Sequence, residues 1–196
     1  MPHLLPLADE PAPERADAAR NRERVLAAAA ELVDERGADC LTMDAVAVAA
    51  GVGKGTLFRR FESREGLMGA LLNRSETQWQ ASVMSGPPPL GPGADPWDRL
   101  MAFGRSRLET TLLHADLIRN AGRAGTRSFA AYSFAMAHVR HLLGGLGVEG
   151  DLPLLAVALM APLELPVLDQ QVTVEGLDVE RVYAGWADLA RRVVGA

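Results

Sequence analysis

The sequence predicts an all-α fold of about nine helices, with a small N-terminal part and a larger C-terminal part. Apolar residues recur three and four positions apart along much of the 196-residue chain, a spacing that places them on one helical face. Asp, Ser or Thr precedes several of these stretches, where its side-chain oxygen can cap the first turn of a helix. Eight glycines and prolines within residues 86–96 interrupt the helical pattern and predict a loop.

The composition favours a protein of a reducing, aqueous compartment. Hydrophobic residues make up 48% of the chain, which is enough to fill a core, and the single Cys40 allows no internal disulfide. The sequence has neither a run of eighteen apolar residues nor a secretory signal, so we expect a cytoplasmic protein without a membrane segment. A net charge of −5 argues against a surface that is basic throughout, but it allows a local basic face.

The N-terminal residues predict an arm followed by a helix. Residues 1–17 contain four prolines and several acids, which predicts a flexible arm. A first helix is expected over residues 18–36, ended by Gly37. Three arginines in its first turns are either a solvated face or contacts to a phosphate backbone, and the sequence leaves both interpretations open. They are Arg20, Arg22 and Arg24.

Residues 42–61, TMDAVAVAAGVGKGTLFRRF, predict two short helices joined by a tight turn. Thr42 is a good N-cap, and Gly51 can adopt the left-handed conformation that ends a helix. Leu57 and Phe61 then face inward four residues apart, which leaves a basic and hydroxyl-bearing face outside. This pattern is typical of a helix-turn-helix, whose second helix enters the major groove of DNA.

The stretch resembles the helix-turn-helix of the TetR family of transcriptional regulators, over roughly residues 19–79. The chain departs from the usual family pattern at Gly53, where a hydroxyl residue is common, and at Phe58, where tyrosine is common. Arg60 and Arg64 also replace the usual residues, and they can supply charge in return. The matching positions are Thr42, Val46, Ala47, Ala50, Gly51, Val52, Gly55, Leu57, Phe58, Phe61, Arg64, Glu65 and Leu67.

The motif predicts a specific role for several side chains of its second helix. Lys54, the only lysine, can donate to guanine O6 and N7, while the Thr56 methyl can pack on a thymine methyl. Phe58 is expected against the sugar-phosphate backbone, or alternatively as a core ring. The complete set of expected DNA ligands is Thr42, Gly53, Lys54, Gly55, Thr56, Phe58, Arg59, Arg60 and Arg64.

Helices are expected through the rest of the chain, in the order that the caps and breakers indicate. Ser63, Asp151 and Asp178 are N-cap candidates, and Asp95-Pro96 pairs a cap with a proline at the first helical position. Prolines at 162 and 166 should kink or stop the penultimate helix. The expected ranges are about 64–84, 97–114, 116–124, 127–143, 152–168 and 179–192.

The resemblance implies a DNA-binding domain over residues 19–79 and a helical effector-binding and dimerisation domain over residues 80–196. An apolar small-molecule effector is expected in the second domain, and Arg107 could meet a ligand carboxylate. The expected effector-contacting residues are Trp79, Phe103, Arg107, Phe129, Phe134 and His138. The last two helices are implied to pair with those of a second copy, through Leu155, Leu159, Val182, Trp186, Leu189 and Val193.

Catalytic and metal sites are not indicated. His138 and His141 have a spacing that can hold a metal, but no carboxylate or cysteine stands beside them at ligand spacing. The run of glycines around Lys54 lacks the spacer and preceding strand of a phosphate loop. We therefore expect no enzyme and no cofactor. The sequence predicts a homodimeric repressor that a small molecule releases from a palindromic operator in double-stranded DNA; the competing class is a helical adaptor that no longer binds DNA.

Overall fold

The computed structural model describes the backbone of residues 13–122 and 129–195 and the side chains of 17–122 and 131–195. These ranges form an all-α fold without strands, as the sequence predicted. A 3-10 turn at Ala38–Cys40 precedes the second helix. The helices are α1 Pro13–Arg36, α2 Met43–Ala50, α3 Lys54–Phe61, α4 Arg64–Ser85, α5 Pro96–Leu113, α6 Ala115–Asn120, α7 Phe129–Gly145, α8 Leu152–Met160, α9 Leu165–Leu168 and α10 Val179–Val194.

The first helix begins earlier than predicted. Backbone helix starts at Pro13 rather than at residue 18, because proline has a preset φ and needs no N–H partner at the first helical position. Of the arm expected over residues 1–17, residues 1–12 lie outside the described residues.

Helices α1 to α4 enclose the first of two hydrophobic cores. Leu26 of α1, Val46 of α2 and Leu57 of α3 are all buried at its centre. Val25 and Ala29 of α1 are buried beside Leu26, so one side of this helix faces the core. This core is completed by Leu117 of α6 and by Ala121, the residue that follows this helix.

The second core lies among α4, α5, α7, α8 and α10. Phe103, Leu142 and Leu159 are fully buried within it. Helix α4 supplies residues to both cores, with Leu71 in the first and Trp79 in the second. The 22-residue helix is unbroken over this distance, so it connects the two cores directly.

The prolines after α8 break the chain as predicted. Helix α8 ends at Met160, a 3-10 turn follows at Ala161–Leu163, and α9 lasts one turn before a π-helical turn at Asp169–Val174. No single helix in the described ranges is long and apolar enough to cross a bilayer. One bent pair, Leu152–Leu163 with Leu165–Val174, meets the requirements of length and composition alone.

Gly104 of α5 lies directly against the Trp186 ring of α10. A Cβ atom built on Gly104 would lie 2.0 Å from Cη2 of Trp186, well inside van der Waals contact. The indole Nε1 of Trp186 donates to the Leu159 carbonyl oxygen at 2.8 Å, which fixes the ring in this position. Only glycine leaves space for the ring at this crossing.

We expect Gly104→Ala to lower the free energy of unfolding by about 1–3 kcal/mol, because the new methyl group must displace the Trp186 ring. Urea denaturation measures this change. Gly144→Ala is the matched control, because its Cβ would have its nearest neighbour at 3.9 Å, an ordinary contact. Equal stability of the two variants would show that the contact between Gly104 and Trp186 does not constrain the fold.

Candidate functional site

The turn between α2 and α3 has the geometry that its sequence predicted. The Thr42 hydroxyl oxygen accepts from the Ala45 N–H at 3.1 Å and so caps α2. Gly51 ends α2 with a φ of 62°, in the left-handed region where glycine meets no Cβ clash. The Val52 N–H then donates to the Ala47 carbonyl oxygen at 3.0 Å, which holds the turn tight. Gly53 starts α3 without a side-chain cap.

Helix α3 separates an apolar side from a basic side. Leu57 and Phe61 are buried in the first core, while the outer side chains remain accessible. Phe58 is 41% exposed, so the alternative interpretation of this ring as a core residue is wrong. The exposed or half-buried outer residues are Lys54, Gly55, Thr56, Phe58, Arg59 and Arg60.

Lys54 does not point freely into solvent. Its Nζ lies 2.7 Å from Oδ1 and 3.0 Å from Oδ2 of Asp44, a residue in the first turn of α2. Both side chains are more than half exposed. The pair therefore sits at the surface that the two helices present together, at the N-terminal end of α3.

Arg59 and Arg60 donate hydrogen bonds within the protein that leave their positive charges uncompensated. The Arg59 Nη2 donates to the Thr56 hydroxyl at 3.3 Å, and the Arg60 Nη1 donates to the Ala18 carbonyl oxygen at 2.5 Å. Both acceptors are neutral. The two guanidinium groups therefore make the C-terminal half of α3 positively charged.

Arg64 has a structural position that the sequence did not reveal. Its Nε donates to the Leu41 carbonyl oxygen at 2.6 Å, and its Nη2 donates to the Ala38 carbonyl oxygen at 2.8 Å. These carbonyls belong to the turn between α1 and α2, where the Ala38 carbonyl oxygen also accepts from the Leu41 N–H at 3.2 Å. The Arg64 guanidinium therefore fastens this turn to α4, and its contact with phosphate stays a prediction.

The α1 arginines have partners within the protein. Arg20 pairs with Asp17, and Arg24 Nη2 donates to the Asn21 side-chain oxygen at 2.9 Å. The Arg22 guanidinium lies 5.8 Å from the centre of the Phe61 ring. Both interpretations of this charged turn therefore stay open.

Four of the six expected effector-contacting residues form one ring cluster. The Trp79 and Phe103 ring centres are 5.1 Å apart, and Trp79 and Phe134 are 6.2 Å apart. His138 lies 5.1 Å from Phe103 and stacks on Phe134 at 6.1 Å. Burial, together with the positive charge of Arg99, lowers the pKa of His138 to about 4, so the ring is neutral at pH 7. The Phe129 side chain lies outside the described residues.

Arg107 lies beside this cluster and already has a carboxylate partner. Its Nη1 is 2.8 Å from Oε2 of Glu76, and both side chains are largely buried. Its guanidinium carbon also lies 4.9 Å from the centre of the Trp79 ring. Glu76 of α4 therefore already supplies a carboxylate to Arg107, and contact between Arg107 and an effector stays a prediction.

The residues expected at the dimer interface divide into two groups. Leu159 and Trp186 are buried inside the protomer, so the structure corrects their assignment to an interface. The others are half-buried and pack on the second core; they are Leu155, Val182, Leu189 and Val193. The exposed apolar residues of α8 lie on a different face, which includes Leu154 and Val157.

Metal ligands and catalytic groups do not converge in the described ranges. No group of three His, Cys, Asp or Glu side chains there could hold a metal ion. His138 is buried among rings whereas His141 is exposed, and Cys40 is an exposed thiol in the 3-10 turn.

Comparison with known sequences places the motif in a family. The sequence model of the bacterial regulatory proteins of the tetR family matches residues 25–71, which include the second half of α1, all of α2 and α3, and the start of α4. An HTH-type transcriptional regulator of Staphylococcus aureus (strain USA300) is 37% identical over 60 residues, covering 31% of this chain and 32% of the relative. The chain thus spans about a third of the length of the curated relatives that it matches.

Solved structures resemble the chain over nearly its whole length. A TetR-family regulator from Pectobacterium atrosepticum shares 23% identity with a TM-score of 0.66, covering 90% of this chain and 93% of that one. A TetR-like regulator from Rhodococcus sp. RHA1 shares 24% identity with a TM-score of 0.57, covering 91% and 98%. A regulator from Saccharomonospora viridis, solved in complex with choline, shares 18% identity with a TM-score of 0.59, covering 87% and 95%.

These likenesses agree with the geometry of the motif. The matched segment contains the capped α2, the glycine turn and the basic outer side of α3. The fold around it, with α4 continuing into a second helical core, is that of the solved regulators. Residues 25–71 therefore match the helix-turn-helix segment of the tetR family of bacterial regulatory proteins, and this segment stands within the fold of the solved regulators.

Proposed function

We propose that the protein is a sequence-specific DNA-binding regulator that acts in the cytoplasm as a homodimeric repressor. Residues 19–79 bind double-stranded DNA, and residues 80–196 form the dimer and bind an effector. The observation that carries this proposal is the basic outer side of α3, which projects from an apolar back formed by Leu57 and Phe61. This is the arrangement that a recognition helix needs to enter the major groove.

The residues of α3 have different roles in the proposed complex. Lys54 stands at the N-terminal end of the helix, where side chains reach base edges, and Gly55 allows close approach of the backbone. Thr56 lies beside them and offers a methyl group to thymine. Phe58, Arg59 and Arg60 lie towards the sugar-phosphate backbone, as does Thr42 at the start of α2.

A palindromic operator requires two copies of α3 in one particle. Two half-sites one helical turn apart, roughly 34–36 Å, match a protein with two-fold symmetry. We assign the interface to the accessible sides of α8 and α10. Leu154 and Val157 are exposed apolar residues three positions apart on α8, the spacing of one helical face.

The second core is the proposed place of effector binding. The rings of Trp79, Phe103 and Phe134 form an apolar wall next to the buried pair of Arg107 and Glu76. An apolar effector packs against this wall. The S. viridis regulator, whose fold is similar, was solved with a small molecule of a different kind, the cation choline. Because Glu76 and Trp79 belong to α4, an effector that displaces them changes the position of the DNA-binding helices.

A salt titration with genomic fragments tests DNA binding directly. We expect the protein to retain specific fragments, with affinity that falls steeply as salt rises, because phosphate contacts release counterions. No retention of any fragment at low salt would favour the adaptor class instead.

Lys54→Ala should lower the discrimination between operator variants by about 1–3 kcal/mol if Lys54 reads guanine. An unchanged preference among the variants would show that Lys54 does not take part in base recognition.

We expect Leu154→Glu to shift the protein from dimer to monomer in analytical ultracentrifugation, because it places a charge in an apolar interface. The matched control is Leu113→Glu at the end of α5. Leu113 is 79% exposed and Leu154 65%, so neither change disturbs the protomer core. A Leu154→Glu protein that remains as dimeric as the control would place the interface elsewhere.

A further inference from the structure

Asp44 is an unexpected residue for a surface that binds DNA. It is the only acidic residue in the segment 42–61, which otherwise carries the cations Lys54, Arg59 and Arg60. It lies in the first turn of α2, and in a helix-turn-helix the first helix crosses the phosphate backbone. A carboxylate here repels phosphate and by itself weakens binding to the DNA backbone. We therefore expect Asp44 to act on binding through a neighbouring side chain.

That neighbouring side chain is Lys54, which forms an ion pair with Asp44. Both carboxylate oxygens lie within 3.0 Å of the Lys54 Nζ, so they occupy at most two of its three donors. Lysine has a flexible four-carbon stem. Because Asp44 already restricts the end of this stem, less conformational entropy is lost when Lys54 contacts DNA. The third donor remains for an acceptor at the mouth of the major groove.

We propose that Asp44 is the residue that sets DNA specificity by positioning Lys54. It holds the ammonium group at the N-terminal end of α3, directed to base edges, and keeps it from pairing with whichever phosphate is nearest. This inference rests on the proposed function, since it concerns how the same surface selects DNA.

The two kinds of complex respond differently to Asp44. Binding to arbitrary DNA depends almost entirely on phosphate neutralisation, and a Lys54 held by Asp44 contributes no phosphate contact. Binding to the operator depends in addition on base contacts, for which a preorganised lysine is favourable. Asp44 therefore weakens the first complex and supports the second.

The experiment compares wild type, Asp44→Ala and Asp44→Glu on two duplexes across a salt series. One duplex is a fragment selected by the wild-type protein, and the other is of arbitrary sequence. The control is Asp34→Ala, which changes the net charge equally on an exposed residue of α1. Asp44→Asn, which keeps an acceptor oxygen in the first turn of α2, replaces Asp44→Ala if that variant unfolds.

Asp44→Ala should bind the arbitrary duplex about threefold more tightly in low salt, and its salt slope should steepen by about 0.9, the value for one further phosphate contact. Its preference for the selected fragment should fall. Asp44→Glu should restore wild-type values, because the longer carboxylate still reaches Lys54. A merely structural role would move neither the slope nor the preference.

Two results overturn the inference while leaving DNA binding intact. One is an Asp44→Ala protein whose slope and preference equal those of Asp34→Ala. The other is an Asp44→Glu protein that behaves like Asp44→Ala. A wild-type protein that binds neither duplex at low salt is a different result, since it contradicts the proposed function itself.

Discussion

A single helix that belongs to both hydrophobic cores is the constraint on which the rest of the structure depends. Helix α4 extends for 22 residues, about 33 Å at 1.5 Å per residue, from Arg64 beside the recognition helix past Val83 in the second core. It is fixed at its first residue and near its middle. Arg64 bonds to the carbonyls that precede α2, and Glu76 forms a buried ion pair with Arg107 of α5. A shift of α4 in the second core therefore reaches the DNA-binding helices without an intervening flexible joint.

Helix α6 forms a second connection between the cores. Leu117 and Ala121 pack into the first core, near the 3-10 turn that Arg64 also holds. Arg119 of the same helix lies 2.5 Å from Asp169, where the π-helical turn begins, and this bond lowers the pKa of the Asp169 carboxyl. Helix α6 thus connects an apolar contact in the first core with a charged contact at the π-helical turn.

Local signals in the sequence predicted the order of the helices and most of their capped starts. Every N-cap that the sequence indicated accepts a backbone N–H, as at Thr42, Ser63 and Asp95. The prolines at 162 and 166 break the helical run where they should. Such features depend on neighbours within four residues, and a single sequence contains them. Glu62 shows where this fails: it ends α3 with a φ of 66°, a conformation that its residue type does not indicate.

Contacts between distant residues were the part that the sequence could not provide. The periodicity of α10 placed Trp186 on an apolar face, but it could not show whether that face meets α5 or a second copy. Gly104, 82 positions earlier, decides the question by leaving space for the ring. Likewise the carboxylate of Glu76 takes the position at Arg107 that was expected for a ligand, and Asp44 holds the lysine that was expected to be free. In each case the partner lies ten or more residues away, and no local pattern marks it.

The central claim is that two copies of α3, held by one symmetric particle, read two half-sites of a duplex. Selection from a library of randomised duplexes by the purified wild-type protein tests it most directly. The account predicts enrichment of an inverted repeat whose half-site centres are one helical turn apart, about 10–10.5 base pairs. Recovery of an unenriched library, or of a single half-site without a symmetric partner, would contradict it.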